Sequence, residues 1–357
     1  MDLEQLRSKI DSLDSKIVDL LNKRVQLAIE IGRVKEKAGK DVYDPSREAE
    51  ILGKMDSKNK GPLGNDAIRS IYREVISAAI ALEKPITVAY LGPEATFTHQ
   101  AALKNFGSSL NYTPLNSFSD VFSSVEKGEA QYGVIAVENS TEGAVTHSLD
   151  LLVETDLKII SEIYLDVSMC LISQSPLEEI KAIHSKDIAI GQCRQWLSRK
   201  LPGVEEVHAA STAEAVRYVK DHPGTAAIAA AAAATIYKIS VIEENIQDKT
   251  DNVTRFLIIG NSPSGRLGKG RDKSSFVFSL QDKPGALQGA LDPFCKRGIN
   301  MSKIESRPSK RKSWDYFFFV DIIGHYEDPE VQEALEELKI TCPMVKWLGS
   351  YPNSKKP

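Results

Sequence analysis

Asp-Asn-Val-Thr-Arg-Phe-Leu-Ile-Ile, residues 251–259, sets a hydroxyl and a guanidinium at the mouth of an apolar strand. Phe256 to Ile259 read as a buried strand of an α/β domain. Thr254 and Arg255 then sit at the edge of that sheet, where small anions are held and worked on. A plain turn leading into a core strand would look the same. The stretch therefore takes its meaning from what surrounds it.

On its N-terminal side, from Ile86 onward, short apolar runs alternate with helical patterns. Strands are expected at Ile86–Leu91, Tyr132–Val137, Leu157–Leu165 and Val167–Ile172. Helices are expected at Thr98–Phe106, Ser119–Lys127, Ala144–Glu154, Gln192–Lys200 and Thr212–Asp221. Ala226–Ala234 reads as a strand running into a close-packed Ala helix. The alternation predicts an α/β fold with largely parallel sheets, divided into two small lobes around a cleft. Three strand-to-helix junctions carry small polar groups: Gly92–Thr98, Glu138–Gly143 and Ala210–Glu214. Each would bring hydroxyls and free N–H groups to a helix N-terminus, a natural anion site, although capping accounts for each one singly.

Gly92-Pro93-Glu94-Ala95-Thr96-Phe97-Thr98-His99-Gln100, Val137-Glu138-Asn139-Ser140-Thr141-Glu142-Gly143 and Thr254-Arg255-Phe256 together resemble prephenate dehydratase, with His184-Ser185 and Gln192-Cys193 between them. Ala95 stands where Gly is more usual. The resemblance covers residues 86–262 and implies a bilobed fold similar to periplasmic binding proteins, with prephenate in the cleft. The reaction expels CO₂ and hydroxide, and hydroxide needs a donor as it leaves. The resemblance assigns that role to Thr254. It implies Thr96, Asn139, Ser140, Thr212, Arg255 and Phe256 as the substrate's contacts, Arg255, Asn139, Ser140 and Thr96 being candidates for its carboxylates.

Residues 1–84 read as all-helical. Between Asp2 and Ile31 there is no Gly or Pro, and Leu3, Leu6, Ile10, Leu13, Ile17, Leu20, Leu27, Ile31 and Val34 recur at intervals of three, four and seven. This predicts one long amphipathic helix ending near Gly39. A second starts at Asp44-Pro45, and a third runs from about Asp66 to Glu83. Three such helices cannot bury that seam alone, which predicts an intertwined homodimer. Arg24 and Lys35 share a face with Leu27 and Ile31, as a snorkelling pair or as an anion site. Arg7 lies 17 residues before Arg24, roughly 25 Å along a helix, so one small ligand meets both only if Arg7 comes from a second subunit.

Leu6-Arg7-Ser8-Lys9-Ile10-Asp11, Leu20-Leu21-Asn22-Lys23-Arg24, Gly32-Arg33-Val34-Lys35 and Asp44-Pro45-Ser46-Arg47-Glu48 resemble the all-helical chorismate mutases. The resemblance implies that Arg7 of a partner, Arg24 and Arg47 hold the carboxylates of chorismate. Lys35 would face the ether oxygen and Glu48 the ring hydroxyl, with Asp44 among the contacts. The rearrangement is pericyclic and asks only for shape and charge stabilisation. Glu83 falls where some relatives carry Gln, which implies a carboxyl that works protonated.

Beyond residues 263–273, a Gly-, Ser- and Lys/Arg-rich linker without phosphate-loop spacing, residues 274–357 follow the order β-α-β-β-α-β. The strands are Ser274–Leu280, Asn300–Glu305, Trp314–Ile323 and Met344–Leu348. The helices are Gly285–Lys296 and Pro329–Leu338. Asp282-Lys283-Pro284-Gly285-Ala286-Leu287 and Glu305-Ser306-Arg307-Pro308 resemble the phenylalanine-sensing motifs of ACT domains, which are α+β and ferredoxin-like. Gly285, Ala286, Leu287, Asn300, Glu305, Ser306 and Arg307 are the implied effector contacts.

The chain of 357 residues is 42% hydrophobic and 26% charged, with a formal net charge of −4. Nothing there calls for nucleic acid or a membrane as partner. The four cysteines are far apart and the histidines lack ligand spacing, as expected of a cytoplasmic protein with no metal site. The charged start Met1–Lys9 reads as no signal peptide. No dinucleotide fingerprint is present, and no cofactor is expected. The combined expectation is a multi-domain, bifunctional enzyme, dimeric or tetrameric. It would turn chorismate into prephenate and then phenylpyruvate under L-phenylalanine control. The competing reading is an amino-acid-binding regulatory protein whose dehydratase-like lobes have lost their chemistry.

Overall fold

The computed structural model describes residues 2–39, 41–309 and 316–354. The chain opens with α1 (Leu3–Lys37), α2 (Pro45–Lys58) and α3 (Asn65–Glu83). The Asp2 carboxylate caps α1 by accepting from the Gln5 N–H, and Asp44 caps α2 by accepting from the Ser46 and Arg47 N–H groups. Only the C-terminal part of α1 finds cover: its one buried residue is Gly32. The apolar stripe from Leu3 to Val34 lies open, each of its nine large side chains between 44% and 68% exposed. Fully burying such a side chain is worth about 1.5–3 kcal/mol.

The next region has two lobes. The first holds β1 (Thr87–Leu91), α4 (Phe97–Phe106), β2 (Asn111–Leu115), α5 (Phe118–Glu126), β3 (Tyr132–Asn139), β4 (Gly143–Ala144), α6 (Thr146–Glu154) and β5 (Lys158–Asp166). The second holds β6 (Cys170–Ser173), β7 (Ala182–Ser185), α7 (Asp187–Gly191), α8 (Arg194–Lys200), β8 (Glu205–His208), α9 (Thr212–Val219), β9 (Thr225–Ala229), α10 (Ala231–Tyr237) and β10 (Val241–Glu243). The chain then returns to the first lobe as β11 (Val253–Gly260).

The sheet orders are β2-β1-β3-β11-β5, with β4 on β3, and β10-β6-β9-β7-β8. Both sheets are mixed, which corrects the expectation of largely parallel ones. In the first lobe, β1 pairs parallel with β2 and β3, while β11 runs antiparallel to both β3 and β5. The cause is the double crossing between lobes. β5 leaves at Asp166 and β11 re-enters at Val253, its register partner, so the two must run opposite ways. Apolar runs report burial, not direction. Strands β2, β4, β7, β8 and β10 escaped the sequence reading: β2 and β8 are exposed edges, and β4, β7 and β10 have four residues or fewer. The Glu138–Gly143 stretch leads into β4, not into a helix, and α6 starts only at Thr146.

The last region comprises β12 (Asp272–Leu280), α11 (Ala286–Lys296), β13 (Met301–Pro308), β14 (Tyr316–Ile323), α12 (Pro329–Thr341) and β15 (Met344–Pro352), with strand order β13-β14-β12-β15. The strand expected at Trp314–Ile323 is present from Tyr316, and Trp314 lies outside the described residues. The stretch at 263–273 is not a free tether. The Ser264 hydroxyl donates to the Ile160 carbonyl, Ser46 to that of Gly265, and Arg266 pairs with Asp328.

The first lobe is the hub. On one face of its sheet, Phe256 and Ile258 pack in a cluster with Tyr43, Ile76 and Ile80 of the helical region. On the other, Leu257 and Ile259 join Val277, Phe317, Phe319, Leu348 and Tyr351 of the C-terminal sheet. Burial on both faces explains why Phe256 to Ile259 is continuously apolar. Among the described residues no helix is long and apolar enough to cross a membrane.

The C-terminal sheet comes so near that Gly349, at φ 153°, leaves no room for a Cβ, which would collide with the Ile159 backbone. A side chain at that φ costs on the order of 1–3 kcal/mol before any clash. Gly349→Ala is expected to lower the melting temperature of the unit formed by the first lobe and the C-terminal sheet by several degrees. Calorimetry checks it.

Candidate active sites

The first candidate site lies where the C-terminal part of α1 meets the end of α3. Glu83 packs against Gly32, where a Cβ would come 2.8 Å from its Oε2. Burial pushes the Glu83 carboxyl up, with Lys35 and then Arg24 pulling the other way. The two cations and this carboxyl thus face one corner. Arg24 Nη1 is buried and has no hydrogen-bond partner. A buried guanidinium nitrogen left unpaired is costly, so it marks where an anion is wanted. Lys35 Nζ donates to the Val42 carbonyl at 2.8 Å.

Glu48 is nearly buried, 3.9 Å from Arg73 Nη1. Burial pushes its carboxyl up to about 7, against the pull of Arg73. Arg73, not foreseen from sequence, also donates to the Lys104 and Asn105 carbonyls of the first lobe. Only this long-range packing reveals it. Arg47 is half exposed and paired with Glu50 at 2.9 Å. Arg7 stands exposed near the far end of α1. Asp44 caps α2, its Oδ1 accepting from the Ser46 and Arg47 N–H groups.

The second candidate site is the interlobe cleft, a cavity of about 790 Å³, a volume suited to a small organic acid. Thr96, Asn139, Thr212, Thr254 and Phe256 line it, as expected. Thr254 Oγ1 accepts from Asn139 Nδ2 at 2.8 Å. The Asn139 amide is fixed in that sense because its Oδ1 accepts from the Thr141 N–H, the Thr141 hydroxyl and the Glu142 N–H. Among the described residues, no acceptor takes the Thr254 proton, so the hydroxyl can donate into the cleft. Asn139 Nδ2 also donates to Asn252 Oδ1, and Asn252 Nδ2 to Gln192 Oε1 of the second lobe. Asn252 was overlooked although it lies two residues before Thr254. Thr96 caps α4 and donates to the Leu91 carbonyl. Ser211 caps α9 and puts Thr212 at its first turn.

Two expected substrate contacts lie elsewhere. Ser140 is exposed and does not line the cavity; its hydroxyl donates to the Asp251 carbonyl and accepts from the Val253 N–H. Arg255 points to the opposite face of β11 from Thr254 and is buried. It bonds Glu162 at 2.8 Å, Asp321 at 2.6 Å and the Tyr351 hydroxyl at 3.0 Å. Strand alternation is the reason: if residue 254 meets the cleft, 255 cannot. The cations that line the cleft are Lys186 and Arg217, both from the second lobe. No motif marked either one.

In the C-terminal region Gly285 adopts φ 78° before α11, which begins at Ala286. Leu287, Asn300 and Ser306 are exposed. Glu305 and Arg307 face inward. Glu305 lines a polar cavity between the C-terminal sheet and the first lobe, and Arg307 pairs with Asp150 of α6 at 3.0 Å. They are interdomain contacts, contrary to the expectation that the whole motif meets the effector.

Comparison with known proteins agrees with this layout. Residues 6–84 match chorismate mutase type II, residues 88–264 prephenate dehydratase, and residues 274–339 the ACT domain. A bifunctional chorismate mutase/prephenate dehydratase of Aquifex aeolicus (strain VF5) is 46% identical over 99% of this chain and 98% of its own length. One from Pseudomonas aeruginosa is 42% identical over 99% and 98%. The crystal structure of prephenate dehydratase in complex with L-Phe from Arthrobacter aurescens is 35% identical, covers 75% of this chain and 90% of that one, and has a TM-score of 0.70. With end-to-end identity at this level and all three segments in order, the chain belongs to the bifunctional chorismate mutase/prephenate dehydratase family.

Proposed function

We propose that this enzyme performs its first reaction in a site shared between two copies. Arg24, Arg47 and a partner's Arg7 would hold the two carboxylates of chorismate. Lys35 and a protonated Glu83 would face the ether oxygen, and Glu48 the ring hydroxyl. The observation that carries the shared site is the open apolar stripe of α1, together with the unpaired Arg24 Nη1 beside Glu83 and Lys35. A second copy laid along α1 covers the stripe and supplies the distant Arg7. Pairing of such dimers into tetramers, and a cytosolic setting, belong to the same proposal. Four free cysteines are consistent with the latter.

In the second site, Thr254 donates to the departing hydroxyl of prephenate, held in line by Asn139. One proton taken up, one CO₂ and one water released, and the ring becomes aromatic. Lys186 and Arg217 take the carboxylate role first assigned to Arg255, with Thr212 beside them and Phe256 as an apolar floor. The bilobed plan is consistent with the hinged cleft of periplasmic binding proteins. The single observation behind this reading is the Asn139 to Thr254 hydrogen bond, which leaves the threonine proton free to be given.

The C-terminal domain, with the strand order of a ferredoxin-like ACT domain, would take L-phenylalanine at Gly285, Leu287, Asn300 and Ser306. The L-Phe complex of the Arthrobacter relative supports that effector. Incubating the protein with chorismate and following phenylpyruvate absorbance tests the overall sequence of reactions. A protein that binds phenylalanine but makes no phenylpyruvate would fit the regulatory reading instead.

Three further outcomes are expected. Thr254→Ala lowers dehydratase kcat by on the order of 10²- to 10⁴-fold while mutase turnover survives; equal loss of both would signal misfolding. Arg217→Met raises the prephenate KM about tenfold or more, with kcat less affected. Mutase activity declines as pH climbs, because the raised Glu83 carboxyl is protonated only below its folded pKa. Glu83→Gln, neutral throughout, flattens that limb, and a parallel profile of Glu48→Gln separates the second carboxyl. A wild-type profile level through the alkaline range would rule out this role for Glu83.

A further inference from the structure

Strands β3 and β11 lie side by side with Thr254 opposite Asn139 and Arg255 opposite Glu138. The first pair builds the cleft, so the second must emerge on the back of the sheet. There it meets another cross-strand pair, Lys303 on β13 opposite Asp321 on β14. Across the interface Glu138 pairs with Lys303 at 2.7 Å and Arg255 with Asp321 at 2.6 Å, Arg255 also holding Glu162 of its own sheet at 2.8 Å. Glu138, Lys303, Arg255 and Asp321 line one polar cavity of about 240 Å³.

The same interface holds apolar packing of Phe317, Phe319, Leu348 and Tyr351 on the first lobe, and further polar links such as Arg307 with Asp150 and Lys273 with Glu162. Apolar packing by itself holds the bodies together without direction. The ion pairs add direction, because a shift of one sheet against the other changes their length and angle at once. β13 also bears Ser306 and follows directly on Asn300, both exposed. Whatever moves β13 is handed to Glu138, next to Asn139, and whatever moves β14 is handed to Arg255, next to Thr254.

We propose that this double ion pair is the route by which the C-terminal domain sets the dehydratase site, with Lys303 and Asp321 as positioning residues acting through Glu138 and Arg255. The proposal rests on the reading that Thr254 and Asn139 do the chemistry and that the C-terminal domain binds phenylalanine. An effector that prefers one seating of β13 and β14 then changes how Asn139 orients the Thr254 hydroxyl. The required differential affinity lies in the two seatings.

The test uses the full-length protein with Lys303→Met, Glu138→Gln and the double variant, mutase turnover serving as the folding control. Each is expected to lower dehydratase kcat three- to tenfold with KM within twofold. Each should also raise the phenylalanine concentration for half-inhibition tenfold or more, the double no further than the singles. Phenylalanine binding by calorimetry without prephenate should stay within threefold, and Lys303→Arg should restore inhibition. Inhibition within twofold of wild type, additive singles, or loss of phenylalanine binding itself would each overturn the proposal. Absence of phenylalanine inhibition in the unaltered protein would instead remove the reading that phenylalanine controls the enzyme, and the proposal with it.

Discussion

Two adjacent strands, β3 and β11, line the interlobe cleft with one face and make interdomain contacts with the other. Their side chains alternate, so the Thr254–Asn139 pair and the Arg255–Glu138 pair cannot be placed independently. Behind Arg255 sits a buried set of two cations and two anions: Arg255 and Lys273 with Glu162 and Asp321. Burial alone would push the Asp321 carboxyl up, but Arg255, the Ser275 hydroxyl and Lys273 outweigh it and hold it below the usual range. Taking away one member of such a set typically costs about 3–5 kcal/mol, because the remaining charge stays buried. The C-terminal domain therefore completes the dehydratase lobe as well as following it in the chain.

The helical region is joined to the same hub by different means. Its Tyr43, Ile76 and Ile80 share a core with the first lobe, and Tyr43 accepts a hydrogen bond from Asn105. Arg73 links Glu48 in the mutase corner to two carbonyls at the end of α4. The helical region is thereby anchored to the hub, while the apolar stripe of α1 faces outward.

The cleft orients the Thr254 hydroxyl by exclusion. Asn139 spends its carbonyl oxygen on Thr141 and Glu142, which leaves only N–H groups to face Thr254. A threonine that must accept on one side can give its proton only on the other. The Asn252 and Gln192 side chains extend this ordering from one lobe to the other, so the orientation of the Thr254 hydroxyl depends on how the two lobes meet.

Local pattern settled much of this protein. The period of apolar residues placed the long helix; the Asp44-Pro45 pair placed the next start; the motifs placed Thr254, Asn139 and Thr96 in one cleft. The first two depend on contacts a few residues apart, and the third rests on the resemblance that the motifs carry. Strand direction, the inward turn of Arg255, Glu305 and Arg307, and the cleft cations Lys186 and Arg217 were decided by the tertiary structure alone. A guanidinium reads the same in sequence whether it meets a substrate carboxylate or a buried Asp321. Only the packing of one sheet on another, between residues far apart in the chain, determines which of the two it neutralises.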